Sequence, residues 1–143
     1  MAQNATLEQI AGQFKAGSNC AQIMAVYFAG KFGEDEARAH QFMCSFGGGM
    51  RQGDVCGAVT GGLFALSMKA GNASPEETDR KAACYADTIA FGKAFRERYG
   101  SMKCQELLAA ASAGDEYKGQ NLHHTFCPKL VLGTIELLEE MGY

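Results

Sequence analysis

The chain has 143 residues, a formal net charge of −3 and six cysteines. This length suits one domain, residues 1–143, and the slight acidic excess argues against a nucleic-acid partner, which usually requires a strongly basic face. The longest uncharged run, residues 55–68, is too short to span a membrane, and the mixed, polar N-terminus does not resemble a signal peptide. We therefore expect a cytoplasmic protein in a reducing compartment, where cysteines favour metal or redox chemistry over structural disulfides.

Apolar residues recur with helical spacing along the whole chain, and no segment shows the sustained alternation of a strand. The expected helices cover residues 6–15, 19–31, 34–44, 54–69, 74–98, 101–111 and 127–142. The fifth has the strongest start signal, because Ser74 can cap it, Pro75 suits a first turn and Glu77 can complete a capping box. A glycine-rich loop precedes the fourth helix, and a polar loop is expected over residues 112–125. The sequence predicts an all-α bundle of six or seven helices.

Four of the cysteines lie at predicted helix starts. They are Cys20, Cys56, Cys104 and Cys127, and the start signals beside them are Asn19, Asp54, Ser101 and Pro128. Free backbone N–H groups and the helix dipole stabilise a thiolate at such positions. A lowered thiol pKa would favour nucleophilic attack, redox cycling and metal ligation. These four are therefore the candidate catalytic and metal-ligating residues, and the alternative is that they pack as small hydrophobic side chains.

The other two cysteines have different surroundings. Cys84 lies well inside the fifth predicted helix, on its apolar face, and packing in the core is the favoured interpretation. Cys44 lies near a helix end beside the glycine loop, and packing is favoured there too, less strongly.

Glycines surround the second of the four cysteines. Gly57, Gly61 and Gly62 leave one side of the fourth predicted helix nearly bare, although each costs about 1 kcal/mol relative to alanine. Such a face can receive a cofactor, a second copy of the chain in a symmetric dimer, or a tightly packed helix of the same chain. We expect Gly57 and Gly61, with Gly48 and Gly49 of the loop, to be cofactor-binding residues, while helix packing stays about equally favoured.

Common motifs are missing. The glycine stretch lacks the spacing of nucleotide-binding loops, and no CxxC pair is present, so any metal site must be assembled from distant helices. His123 or His124 could join Cys127 as metal ligands, but a polar loop with both rings in solvent is the favoured interpretation. His40 is expected on a helix surface.

The segment CGAVTG, residues 56–61, resembles the CGAxxG motif of a family of small redox-active proteins labelled C-GCAxxG-C-C. Cys20 resembles the cysteine that precedes the motif, and Cys104 and Cys127 resemble the two that follow it. The GGGM, KCQELL and CPKLV segments are also similar to the family's local sequence. The resemblance implies redox activity through these cysteines, with a redox partner protein or oxidoreductase, and it leaves the substrate open.

Two chemical forms of a redox function stay open. In one, four thiolates hold an iron–sulfur cluster or another thiophilic metal and the protein carries or senses electrons. In the other, the cysteines form reversible disulfides without a metal. The metal form is favoured, because four similar positions suit four ligands. A non-redox helical interaction module is the alternative from another class, and an enzyme with a small-molecule substrate ranks lower, since no general base is identifiable.

Overall fold

The structure is a computed structural model that describes residues 4–143; the first three residues of the predicted domain lie outside this range. The helices are Leu7–Ala16 (α1), Cys20–Phe32 (α2), Glu36–Phe42 (α3), Gly57–Ala70 (α4), Thr78–Tyr99 (α5), Cys104–Ala113 (α6) and Leu122–Glu140 (α7). A 3₁₀ turn, Cys44–Phe46, and a wide turn, Gly49–Gly53, connect α3 to α4. No strand forms within residues 4–143, so the predicted all-α fold is confirmed. None of these helices is long and apolar enough to cross a membrane.

The core lies where α2 and α4 pack on each other, with α5 and α7 against them. α2 is apolar around most of its circumference, which is typical of a helix enclosed by others. Its buried residues run without a break from Ala21 to Ala25 and continue at Phe28 and Ala29. The largest fully buried side chains of the core are Met24 and Phe28 of α2, with Leu66, Phe91, Phe95, Ile135 and Leu138 of the other helices.

The glycine face of α4 is covered from within the chain. A Cβ atom on Gly61 would lie 2.7 Å from the Ala21 carbonyl oxygen, and one on Gly62 would lie 2.9 Å from the Phe91 ring. Both distances are too short for real side-chain contacts, so these glycines allow α2 and α5 to approach closely. Of the three expected uses of the bare face, the structure shows helix packing, and the argument for a dimer through this face no longer applies.

Two helices begin later than their start signals suggest. α4 begins at Gly57, with Cys56 rather than Asp54 at the N-cap position. α5 begins at Thr78, because Ser74 and Glu77 close a turn in which the Glu77 carboxylate accepts the Ala73 N–H instead of completing a capping box. Ahead of α4 the Asp54 backbone bonds to Gly49 and Cys104, and ahead of α5 the Glu77 side chain bonds to the backbone.

The starts of α6 and α7 also differ from the predicted ones. α6 begins at Cys104, and Ser101, three residues earlier, accepts the Lys103 N–H at 3.0 Å instead of capping the helix. α7 begins at Leu122, where Asn121 accepts the His123 N–H at 2.9 Å. The predicted polar loop is therefore shorter, and Cys127 and Pro128 lie inside the helix. The expected helix-start position holds for Cys20 and Cys104, Cys56 is an N-cap, and Cys127 was placed wrongly.

Candidate redox centre

All four cysteines predicted as site residues line one cavity of about 410 Å³. They reach it from four different elements: Cys20 from the start of α2, Cys56 from the N-cap of α4, Cys104 from the start of α6 and Cys127 from the second turn of α7. Apolar side chains form much of the remaining wall, and these include Phe14, Leu107, Leu108, Phe126, Leu130 and Val131. Cysteines separated by more than a hundred positions in sequence thus line the same cavity.

A short antiparallel bridge ties the starts of α4 and α6 together. Val55 pairs with Lys103. The Cys56 N–H donates to the Met102 carbonyl at 2.7 Å, and the Cys104 N–H donates to the Asp54 carbonyl at 2.6 Å. These bonds satisfy two backbone donors that helix starts otherwise leave free. They also fix the two cysteines on neighbouring backbone segments at the rim of the cavity.

Cys20 lies directly over the backbone of Gly57. A Cβ atom on Gly57 would be only 2.1 Å from the Cys20 Sγ atom and 3.0 Å from the Ala21 nitrogen. Because no real side chain could fit at that distance, the thiol of Cys20 occupies the space that the missing side chain leaves. Because Cys56 directly precedes Gly57 in the sequence, this contact brings Cys20 close to Cys56.

Cys127 has a histidine one helical turn before it. The His123 Nδ1 atom lies 3.7 Å from the Cys127 Sγ atom, and His123 lines the cavity. Both histidines lie on α7, so the prediction of a loop was wrong for both, whereas their predicted exposure is confirmed. His123 also lines the cavity, which the favoured interpretation did not include. The i, i+4 spacing of His123 and Cys127 after the capping Asn121 is the sequence signal that pointed to this contact.

The glycine loop places Arg51 in the cavity wall. Gly48, Met50 and Arg51 have φ angles of 62°, 60° and 61°, so the chain makes a left-handed turn that includes two residues with side chains. Such conformations cost about 1–2 kcal/mol for each non-glycine residue. Arg51 was not predicted as a site residue, although it is the one cation within the glycine stretch of residues 45–53.

The four glycines predicted to bind a cofactor have different surroundings. Gly48 lines the cavity, and a Cβ atom there would be 2.7 Å from the Arg51 guanidinium. Gly49 lies against the backbone of Asp54, and Gly57 and Gly61 lie against α2. Cys44 is exposed and Cys84 is buried in the core, and neither lines the cavity.

Residues 18–141, which include all four cavity cysteines, match the family described as "Putative redox-active protein (C_GCAxxG_C_C)". The chain belongs to this family. The resemblance based on residues 56–61 is thereby confirmed, although the family's label orders its motif Gly-Cys-Ala and this chain has Cys56, Gly57 and Ala58. No curated protein and no solved structure matches the chain.

Burial is the main cause of the pKa shifts of three cavity cysteines, Cys56, Cys104 and Cys127. Burial, and then the negative charge of Cys20, raises the pKa of the Cys56 thiol, although the N–H groups of Ala58 and Val59 lower it in part. Burial likewise raises the pKa of Cys127 to about 12 and raises that of Cys104, where Arg51 acts in the lowering direction. The expectation of lowered pKa values at these three cysteines was wrong, because removal from water outweighs the helix-start N–H groups.

The cavity does not present a site for a single metal ion. Within residues 4–143, no three histidine, cysteine or acidic side chains are arranged to hold one. The four thiols surround the cavity from separate elements rather than meeting at a point.

Proposed function

We propose that Cys20, Cys56, Cys104 and Cys127 form one redox centre that holds an iron–sulfur cluster, so that the protein carries or senses electrons. The observation that supports this most strongly is that all four line the same cavity. Four thiolates are the usual complement for such a cluster, whereas a dithiol switch needs only two.

The donor set fits a cluster better than a single ion. The ligands of one ion must crowd around one point, which these four thiols do not do. An iron–sulfur cluster would be held by four thiolates shared among more than one iron, so they would not need to crowd around one point. When bound, the cluster would supply reversible one-electron transfer.

Several residues of the chain would support this chemistry. The N–H groups of Ala58 and Val59 bond to the Cys56 sulfur, which stabilises negative charge there. Arg51 places a positive charge beside Cys104. Cys56 and Cys127 are only 4% and 8% exposed, so little water reaches their sulfur atoms. Because the pKa values of the Cys56, Cys104 and Cys127 thiols are raised, these three are neutral at pH 7 without a metal, and iron binding would release their protons.

A metal-free dithiol centre is the second candidate, and the contact of Cys20 with Gly57 favours it. This contact holds the Cys20 sulfur next to the residue that follows Cys56. In this form two thiols would give two electrons and two protons to an oxidised partner protein as one S–S bond forms. The six cysteines are not joined by disulfides in the structure.

The test is the iron, zinc and acid-labile sulfide content of protein purified without oxygen, together with its visible spectrum. We expect iron and sulfide in near-equal amounts and charge-transfer bands that Cys56→Ser abolishes. Cys84→Ser is the matched control, because Cys84 is similarly buried, at 7% exposure against 4%, but lies outside the cavity. A colourless, metal-free protein would refute the cluster, and thiol counts with and without reductant would then test the dithiol form.

Other expectations stay predictions. A redox centre requires a partner protein or oxidoreductase to exchange electrons with, and this partner is not identified. The cytoplasmic location and a symmetric dimer are likewise untested. A non-redox interaction module would predict that Cys56→Ser and Cys127→Ser leave partner binding intact.

A further inference from the structure

One side of α5 is exposed and apolar along its middle. Cys84, Phe91 and Phe95 are buried on the side that packs against α4 and α7. Helical spacing puts five other residues in a line on the opposite side, and all five are exposed: Asp79, Ala82, Ala86, Ala90 and Lys93. We call this line, with Tyr85 and Ile89 beside it, the α5 outer face. A helix side that faces water usually carries charged residues, so three alanines in its middle are unusual there.

Two large apolar side chains extend the α5 outer face on one side of the alanines. Ile89 is 71% exposed and Tyr85 is 59% exposed, the highest values among the large hydrophobic residues that the structure describes. They are one helical turn apart, so they are neighbours on the helix surface. Their removal from water against a second surface would be favourable.

Charges of opposite sign lie at the two ends of the α5 outer face. Asp79 precedes Ala86 by seven residues and Lys93 follows it by seven. Ala82 and Ala90 are each four residues from Ala86, so the spacing is the same in both directions while the charge is opposite. Neither Asp79 nor Lys93 forms a salt bridge within residues 4–143. Both charges are therefore available to a surface with the opposite pattern.

The α5 outer face of a second copy has that opposite pattern when the two helices run antiparallel. With the two Ala86 residues facing each other, Asp79 of each copy lies opposite Lys93 of the other, and Ala82 lies opposite Ala90. A parallel pair would instead put Asp79 beside Asp79 and Lys93 beside Lys93, which is repulsive. The antiparallel direction also places opposite ends of the two helix dipoles side by side. The antiparallel pair is thus self-complementary, as a two-fold dimer requires.

We propose that the protein forms a two-fold homodimer through the α5 outer face, with the axis at Ala86. The alanines let the two backbones approach closely, and Ile89 of each copy packs against Tyr85 of the other. The overlap of the two helices covers residues 78–94, so Glu97, the other charge in line with this face, lies beyond it. No residue of α5 lines the four-cysteine cavity, so this dimer does not depend on the proposed redox centre.

The first test measures self-association by sedimentation equilibrium over a range of protein concentrations. We expect a species of twice the 15.3 kDa chain mass. Ile89→Asp should raise the dissociation constant of the dimer at least about thirtyfold, because it puts a charge into the apolar contact. Leu7→Asp is the matched control, since Leu7 is an exposed apolar residue on α1, and its replacement should leave the dissociation constant unchanged. A monomeric wild type at every concentration, or an Ile89→Asp variant that dimerises as wild type does, would overturn the inference.

The second test identifies the antiparallel register, with the species followed by native mass spectrometry. Asp79→Lys and Lys93→Asp should each weaken self-association about tenfold, because each puts like charges opposite each other at both ends of the interface. When the two variants are mixed, opposite charges meet again at both ends, so a heterodimer should form in preference to either homodimer. The double variant should regain the wild-type dissociation constant.

Lys118→Asp is the control for the mixing experiment, because Lys118 is exposed between α6 and α7. It makes the same change of charge away from α5 and should show no preference for Asp79→Lys. Random pairing of Asp79→Lys with Lys93→Asp, or a double variant that associates no better than the single ones, would overturn this interface.

Discussion

At the scale of single residues, buried thiols connect the site to the stability of the fold. Cys56 and Cys127 are almost fully buried, and burial raises the pKa of Cys127 to about 12. An unfolded cysteine ionises near pH 8.5. Because the pKa of Cys127 is higher in the folded state, its neutral thiol makes its full contribution to the free energy of unfolding below about pH 8.5. This contribution is lost as the pH rises toward 12.

The reduced, metal-free protein should therefore unfold more easily at alkaline pH. Between pH 7 and pH 9.5 we expect Cys127 alone to remove about 1 kcal/mol from the free energy of unfolding, measured by urea titration. Cys127→Ala should show a correspondingly smaller loss over this interval. Cys44→Ser is the control, because Cys44 is exposed and its replacement should leave the slope unchanged. An identical pH slope for wild type and Cys127→Ala would contradict this assignment.

Gly57 is the residue on which the position of Cys20 depends. Gly57→Ala would place a Cβ atom 2.1 Å from the Cys20 sulfur, so the thiol must move. We expect a loss of about 1–3 kcal/mol in stability, together with loss of the redox signal. Gly12→Ala is the control: Gly12 lies inside α1, a Cβ atom there would have nothing within 4 Å, and alanine should stabilise the protein by up to about 1 kcal/mol. Unchanged redox behaviour in Gly57→Ala would show that Cys20 need not lie there.

At the scale of elements, the left-handed turn before α4 depends on one glycine. A Cβ atom on Gly49 would lie 2.4 Å from the Asp54 nitrogen, and its φ is +65°. Gly49→Ala should cost more than about 2 kcal/mol, since backbone strain and overpacking add. Met50→Gly at φ 60° relieves strain and should cost much less. Thermal unfolding of the two variants compares them, and equal costs would contradict this role of Gly49.

The bridge between α4 and α6 makes a second prediction at this scale. The N–H groups of Cys56 and Cys104 are bonded across the bridge, although N–H groups at helix starts usually exchange readily. In hydrogen exchange followed by NMR, both should exchange as slowly as N–H groups in the middle of α4. Exchange at the rate of an unstructured peptide would mean that the bridge opens and that the two cysteines are not held together.

Helix starts show how far local sequence determines local structure. The capping box of Asn19 and Gln22 forms within four residues, so the start of α2 was predictable. At α7 two start signals compete, Asn121 and Pro128, and the helix uses Asn121. Proline suits the first turn of a helix, and inside a helix it costs a backbone hydrogen bond that packing can offset. Pro128 lies inside α7 and is buried in the core. That packing comes from other helices, so the interior position of Pro128 could not be predicted from the sequence around it.

At the scale of the whole molecule, helical spacing predicted the fold class. The predicted helix-start positions selected the four cysteines, and the family resemblance selected the same four. Their meeting in one cavity depends on how α2, α4, α6 and α7 pack, which is a long-range property. The direction of the pKa shifts was missed for the same reason. A helix start is visible in the sequence, whereas burial at 4% exposure for Cys56 results from the assembled fold.

The central claim is that these four cysteines form one redox centre, and a potentiometric titration of the purified protein tests it most directly. We expect one reversible couple in wild type and in Cys44→Ser. The couple should be lost in each of Cys20→Ser, Cys56→Ser, Cys104→Ser and Cys127→Ser if all four hold one cluster, with circular dichroism showing that each variant is folded. The absence of any reversible couple, or a couple that survives in all four variants, would contradict the account.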